Sequence, residues 1–174
     1  KISIPSELAI GWFDKAFEQI ERDMPNLRLV LNVEDALVDH TKYARDLHVR
    51  AGRRETRPGM TELASERARA VMVVTNRLIQ DGEQDDRTTI SKLPFIARPR
   101  TGRQVDIGLT NGTTLTFERV LQVSSVPARI AMARAGLGVT TCLDRSVERD
   151  LQAGDLVRLC PTHFDYAVDV SIAS

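Results

Sequence analysis

The segment 123–143, VSSVPARIAMARAGLGVTTCL, constrains the fold most, because strand end, helix cap, helix, stop and next strand follow one another within it. Ser124 and Ser125 close an apolar run at 120–123, and Pro127 stands where a first helical turn tolerates proline, so a helix is expected to start here. Ile130, Ala131, Ala133 and Ala135 supply packing or helix-forming positions, and Arg129 and Arg134 are expected to face water. Gly136 and Gly138 stop the helix before the apolar run 139–143. If the two strands are parallel, the loop before the helix lies at a strand's carboxyl end, where backbone N–H groups and two hydroxyls can meet an anionic small molecule. A Ser125 that only caps the helix explains the residue equally well.

The rest of the chain continues this alternation. Ile2 and Ile4 flank Ser3 before Pro5 and Ser6 break the run, which reads as a short strand ending in a turn. Phe13, Ala16, Phe17, Ile20 and Met24 recur at helical spacing as an amphipathic stripe that Pro25 ends. Leu27, Leu29 and Leu31 alternate as a half-buried strand, Asp35 can cap a helix to about Ala44, and DLHVR at 46–50 is a third strand closed by Gly52. This β-α-β-α-β order calls for a parallel sheet with right-handed crossovers. Residues 53–60 read as a loop, after which strand-like pieces at 61–64 and 70–75 flank a polar SERAR interruption. That suits an extended segment leaving one sheet and entering another. A short helix at 76–82, a solvated loop at 83–89, a strand at 93–97 and a basic surface loop, RPRTGR, at 98–103 follow. Within 105–117 a hairpin turns at Asn111-Gly112. After 143, Asp144 caps a helix to about Ala153 stopped by Gly154, and strands are expected at 155–160 and 166–172.

The 174 residues suffice for one ordinary domain or two small lobes. The 24 basic and 24 acidic residues cancel, which argues against a broad phosphate-binding face. No apolar run approaches the roughly twenty residues that span a bilayer, and no secretory signal precedes the first strand. Without a Met before Lys1, the chain reads as a fragment or a processed form. Cys142 and Cys160 lie in apolar runs with no CxxC and no His at ligand spacing, so buried thiols are expected, with a redox pair the lesser alternative and no metal site. Hydrolase-elbow, Walker, dinucleotide and zinc-protease motifs are absent, and His40, His48 and His163 share no context. Asp35 and Asp39 lie one helical turn apart, which an exposed capping helix explains. Neither catalysis nor a cofactor is expected.

In order and spacing, these elements resemble the effector-binding (substrate-binding) domain of a LysR-type transcriptional regulator over nearly the whole chain. KISIPSELAIGWFDKAFEQIERDMPNLRLVL is similar to the family's opening strand, long helix, helix stop and second strand, and Trp12 resembles the glycine-cleavage-activator-like branch. DLHVRAG resembles the family's third strand, and PGMTELASERARAVMVVT resembles the stretch that crosses into the second lobe. VSSVPARIAMARAGLGVTTCLDRSVERDLQAGDLVRLCP is similar to the segment with the family's AGxGI step.

The resemblance implies an α/β fold of two Rossmann-like lobes with a cleft between them, of the periplasmic-binding-protein-like type II: 1–66 plus 160–174, and 67–159. It implies a small-molecule effector touching Ser6 and Glu7 after the first strand, Asn32, Val33 and Glu34 after the second, Arg50 ending the third, and Ser124 and Ser125 at the second lobe's helix start. Many members carry Ser or Thr where this chain has Glu7, a carboxylate that repels acidic effectors unless Arg50 offsets it. Arg50 pairing with Glu7 or Glu34 is the alternative to a ligand contact. The resemblance further implies a cytoplasmic regulator whose DNA contact belongs to a winged helix-turn-helix outside this chain. It also implies a dimer or tetramer in which Phe13 to Arg22 packs beside Pro127 to Ala135 of a second copy. A transporter's solute-binding protein is the competing class: a signal peptide upstream selects it, and a helix-turn-helix selects the regulator.

Overall fold

The computed structural model describes residues 1–35, 47–52, 60–99 and 103–174. Two compact units divide the chain: Lys1–Ala68 with Ala167–Ser174, and Arg69–Tyr166.

In the first unit, β1 (Ile2–Ile4) lies between β2 (Leu31–Val33) and β3 (Leu47–Gly52) and is parallel to both. β11 (Tyr166–Ala173) runs antiparallel to β3, and the first half of β4 (Glu62–Thr75) lies beyond it. Period-two alternation divides the faces of β1. Ile2 and Ile4 are buried on one side, while Ser3 shares the other with its register partners Asn32 and His48. The expected turn at Pro5 and Ser6 is a single helical turn, α1 (Ser6–Ala9), with Leu8 buried beneath it. The amphipathic stripe forms α2 (Asp14–Asp23), yet α2 buries no residue fully, and Met24 just past it is 56% exposed.

The second strand starts later than its leucines suggest. Only Leu31 of the three belongs to β2, because β1 offers just Ile2–Ile4 to pair with. Leu27 is left 53% exposed. The helix expected after Asp35, and parts of the loops at 53–60 and 98–103, lie outside the described residues.

In the second unit, the far half of β4 is flanked by β9 (Thr140–Leu143) and β10 (Leu156–Leu159), both antiparallel to it. The polar SERAR stretch lies inside one extended segment as expected, and the two units divide within it, between Ala68 and Arg69, while β4 itself runs unbroken for 14 residues. Its first six residues are exposed and its last five buried, so the polar composition reports solvent and not a chain break. Met72 and Val74 enter one core cluster and Val71 and Val73 the other, which is why this half reads as a continuous apolar run. β5 (Phe95–Ala97) pairs in parallel with β8 (Val120–Gln122), and β6 (Val105–Gly108) and β7 (Thr114–Phe117) form the expected hairpin. Asn111 Oδ1 accepts from the Thr113 N–H and hydroxyl, and Gly112 takes a φ of +82°.

The loop expected at 83–89 gives way to a helix, α3 (Arg87–Lys92). Asp86 caps it, accepting from the Thr88 N–H at 2.9 Å and the Thr89 hydroxyl at 2.7 Å, and fully buried Ile90 anchors it. The helix expected from Asp144 is a 3-10 turn, Asp144–Val147, leading into α5 (Glu148–Ala153), which ends at left-handed Gly154.

Candidate functional site

Because β1, β2 and β3 are parallel, their carboxyl ends share one edge of the first unit's sheet, the side where open α/β sheets take ligands. Ser6 follows β1 after Pro5 alone. Its N–H donates to Asp35 Oδ1 at 2.7 Å and its hydroxyl to Asp35 Oδ2 at 2.5 Å. The Glu34 N–H donates to the Ile4 carbonyl at 3.0 Å, which carries the end of β2 against the end of β1. Glu7 is half-buried in the single turn of α1.

Arg50 stands two residues beyond His48 on β3 and so shares its face. Its guanidinium donates to the Val49 carbonyl at 2.7 Å and to the Ser3 hydroxyl at 2.8 Å, lying across β1. Asn32, in register with Ser3, turns a buried Nδ2 to the same face, and among the described residues that atom has no hydrogen-bond partner. Val33 projects from the opposite face and is 50% exposed, apart from this polar row.

Ser3 and Asp35 belong to this arrangement although sequence reasoning does not reach them. Ser3 is signalled only by its place between Ile2 and Ile4, and Asp35 reads from sequence as a cap for the segment after it.

In the second unit, Ser125 is the N-cap of α4 (Val126–Arg134), accepting from the Ala128 N–H at 3.5 Å, with Pro127 in the first turn. Ser124 is exposed. Arg129 does not face water: it is 6% exposed on the inner face with Val126, Ile130 and Ala133. Helical spacing prevails over charge there. Arg134 does face outward, pairing through Nε and Nη2 with the two Asp150 carboxylate oxygens at 2.7 Å each. Phe95 pairs in parallel with Val120 and bridges in parallel to Val139, so β8, α4 and β9 form a parallel strand–helix–strand unit across β5. Ser6, Glu7, Asn32, Val33, Glu34 and Arg50 thus belong to the first unit, and Ser124 and Ser125 to the second.

The model of the LysR substrate binding domain matches residues 1–173. The chain belongs to the LysR substrate-binding domain family. No curated protein matches it. Among solved structures, this LysR domain is similar to full-length AphB, the virulence activator of Vibrio cholerae, with TM-score 0.75 and 17% identity over 99% of this chain and 59% of that one. It is similar to CrgA, a LysR-type transcriptional regulator from Neisseria meningitidis, with TM-score 0.79 and 13% identity over 98% and 60%. The effector domain of AmpR from Pseudomonas aeruginosa gives TM-score 0.73 and 15% identity over 98% and 83%. The chain therefore spans 59% and 60% of the first two regulators. The fold is the mixed α/β, two-lobe, periplasmic-binding-protein-like type II fold of LysR regulatory domains.

In this LysR domain Cys142 and Cys160 are buried, form no disulfide, and lie in different core clusters. Burial, and then the charge of Asp85, pushes the Cys160 thiol up from its ordinary pKa, away from thiolate reactivity. Among the described residues no group of His, Cys, Asp and Glu is placed to hold a metal ion, and no helix is long and apolar enough to cross a membrane.

Proposed function

We propose that this LysR domain is the ligand-sensing part of a cytoplasmic transcriptional regulator, without catalysis. A small-molecule effector binds in a cleft between lobe I, 1–66 plus 160–174, and lobe II, 67–159, at Ser6, Glu7, Asn32, Val33, Glu34, Arg50, Ser124 and Ser125. The observation that supports the reading is the parallel run of β1, β2 and β3, with Ser6 and Glu34 following β1 and β2 at one sheet edge and Arg50, two residues before the end of β3 and not at it, bonded to Ser3 of β1. The effector acts by binding one arrangement of the oligomer better than another, which shifts their populations. A winged helix-turn-helix outside this chain then reads the shift on DNA. The family match favours this over a transporter's solute-binding protein. Trp12 and its neighbours suggest the glycine-cleavage-activator-like branch.

Self-association runs through α2 and α4 of two copies. Supporting it are exposed apolar side chains beside α2, with Ile10 63% exposed along with Met24 and Leu27, and an outward α4 face of Ala131, Arg134 and Ala135.

Thermal shift against a metabolite panel tests the sensing role, with wild type beside Arg50→Ala. Hits that stabilise wild type and lose most of the shift in Arg50→Ala are expected. Equal shifts in both proteins remove Arg50 from the site, and a panel that moves neither removes the sensing role.

A further inference from the structure

The Asp35 carboxylate uses both oxygens on one residue: Oδ1 accepts the Ser6 N–H at 2.7 Å and Oδ2 accepts the Ser6 hydroxyl at 2.5 Å, across 29 positions of sequence. These two donors stand one residue past the end of β1, where an open parallel sheet receives its ligand. Two oxygens on a backbone N–H and a hydroxyl is also how a free acid would be held there, since charge-assisted bonds are the strong ones. The strand end delivers Asp35 to that place, because the bond from the Glu34 N–H to the Ile4 carbonyl fixes the preceding residue.

We infer that Asp35 is a specificity-determining residue, an internal carboxylate that occupies on Ser6 the place of a ligand's acidic group, so that the effector of this domain presents no acid there. The inference rests on the reading that these strand ends bind the effector. An arriving carboxylate must displace Asp35 and then share the site with it and with the carboxylates of Glu7 and Glu34, on either side of the Ser6–Asp35 contact in sequence. A neutral or hydrogen-bond-donating group meets no such barrier and can bond the Asp35 oxygens. The Glu7 carboxylate next to Ser6 and the contact at Asp35 therefore select against acids together.

The test is chemical rescue in the 174-residue chain. Asp35→Ala, the double variant Asp35→Ala with Ser6→Ala, and wild type are titrated with acetate and, at matched ionic strength, with chloride, and thermal unfolding is followed. Acetate is expected to restore the melting temperature of Asp35→Ala in a saturable way, binding at least roughly tenfold tighter than to wild type, and to do nothing for the double variant. An Asp35→Ala protein that acetate restores no better than chloride shows Asp35 to be only a brace between β2 and α1, and overturns the inference. Should Asp35→Ala not fold, Asp35→Asn is titrated instead, with the Ser6 amide resonance as readout. An acetate response equal to that of wild type then overturns it. Succinate moving the Ser6 amide of wild type at low millimolar concentration also overturns it, without touching the sensing role. That role falls only when no metabolite class stabilises wild type.

Discussion

Alanine at Gly138 is expected to cost far more stability than alanine at Gly136, although both glycines hold a positive φ, +148° and +85°. Space separates them. At Gly136 an added Cβ would have Thr75 Cγ2 as its nearest neighbour at 3.8 Å, an ordinary contact, so the cost is that of left-handed backbone, about 1–2 kcal/mol. At Gly138 the Cβ would lie 2.2 Å from the Pro94 carbonyl oxygen and 2.9 Å from its carbon. A backbone carbonyl cannot rotate aside as a side chain can. That oxygen also accepts the Val139 N–H at 2.8 Å, while the Val139 carbonyl accepts the Ile96 N–H at 2.7 Å. Relieving the overlap pulls 138–139 from β5 and endangers both bonds. A strained φ at ~1–3 kcal/mol and at least one unmade buried bond at ~1–3 kcal/mol give a loss of about 2–6 kcal/mol. Against a total stability of about 5–15 kcal/mol this is severe. Urea unfolding of wild type, Gly136→Ala and Gly138→Ala, followed by circular dichroism, measures the difference. Midpoints for the two variants that coincide would refute the claim that close backbone approach selects glycine at 138.

Ser125→Ala is expected to lower stability by about 0.5 kcal/mol, the low end for a helix cap, because the bond to the Ala128 N–H is long at 3.5 Å. A loss above about 2 kcal/mol in denaturant melts would contradict the weak cap. Hydrogen bonds from the Thr89 hydroxyl and then the Thr88 N–H hold the Asp86 carboxyl below its ordinary 3.8, so its stabilising contribution is present above that value and lost as pH falls through the lower folded one. Asp86→Asn should therefore flatten the acid limb of the stability profile and leave the neutral region's slope alone. Identical acid limbs in the two proteins would exclude this. Met24→Asp, at an apolar position 56% exposed, is expected to shift sedimentation toward monomer at fixed concentration. Unchanged sedimentation takes that edge out of the assembly.

Alternation and turn chemistry made most of the fold legible. Ile2-Ser3-Ile4 foretells a strand with an apolar and a polar face, and Asn111-Gly112 foretells the hairpin. Two departures come from polar composition, and the late start of β2 comes from the short length of its partner β1. The charged run in which Asp86 caps α3 has the composition of a loop, and the exposed half of β4 is polar although it is strand. For Arg129 the opposite evidence was available, since positions 126, 129, 130 and 133 repeat at helical spacing whatever their charge. In the candidate site, the strand order indicated which edge to look at. Which polar groups satisfy one another was not legible, because the Arg50–Ser3 bond spans 47 residues and the Ser6–Asp35 bonds span 29. Such pairings follow from register and loop path, which no local pattern encodes.

The helix α4 joins several tasks within Val126–Arg134. Its start is capped by Ser125, and Val126, Ile130 and Ala133 pack in one cluster with Val71 and Val73 of β4. Its end is clamped, because Arg77 donates to the Arg134 carbonyl at 2.7 Å while the Arg134 side chain pairs with Asp150. A helix packed along one side and held at its end has no soft joint in which a displacement at its start can dissipate, since close-packed interiors transmit strain. If the proposed effector contact at Ser125 holds, a shift there moves α4 against Val71 and Val73, the β4 residues it packs on. Under the proposed assembly, the outward residues Ala131 and Ala135 meet a second copy. Under that proposal the ligand and assembly contacts lie on one helix, Ala131 and Ala135 six and ten residues from Ser125, about 9 and 15 Å along the axis.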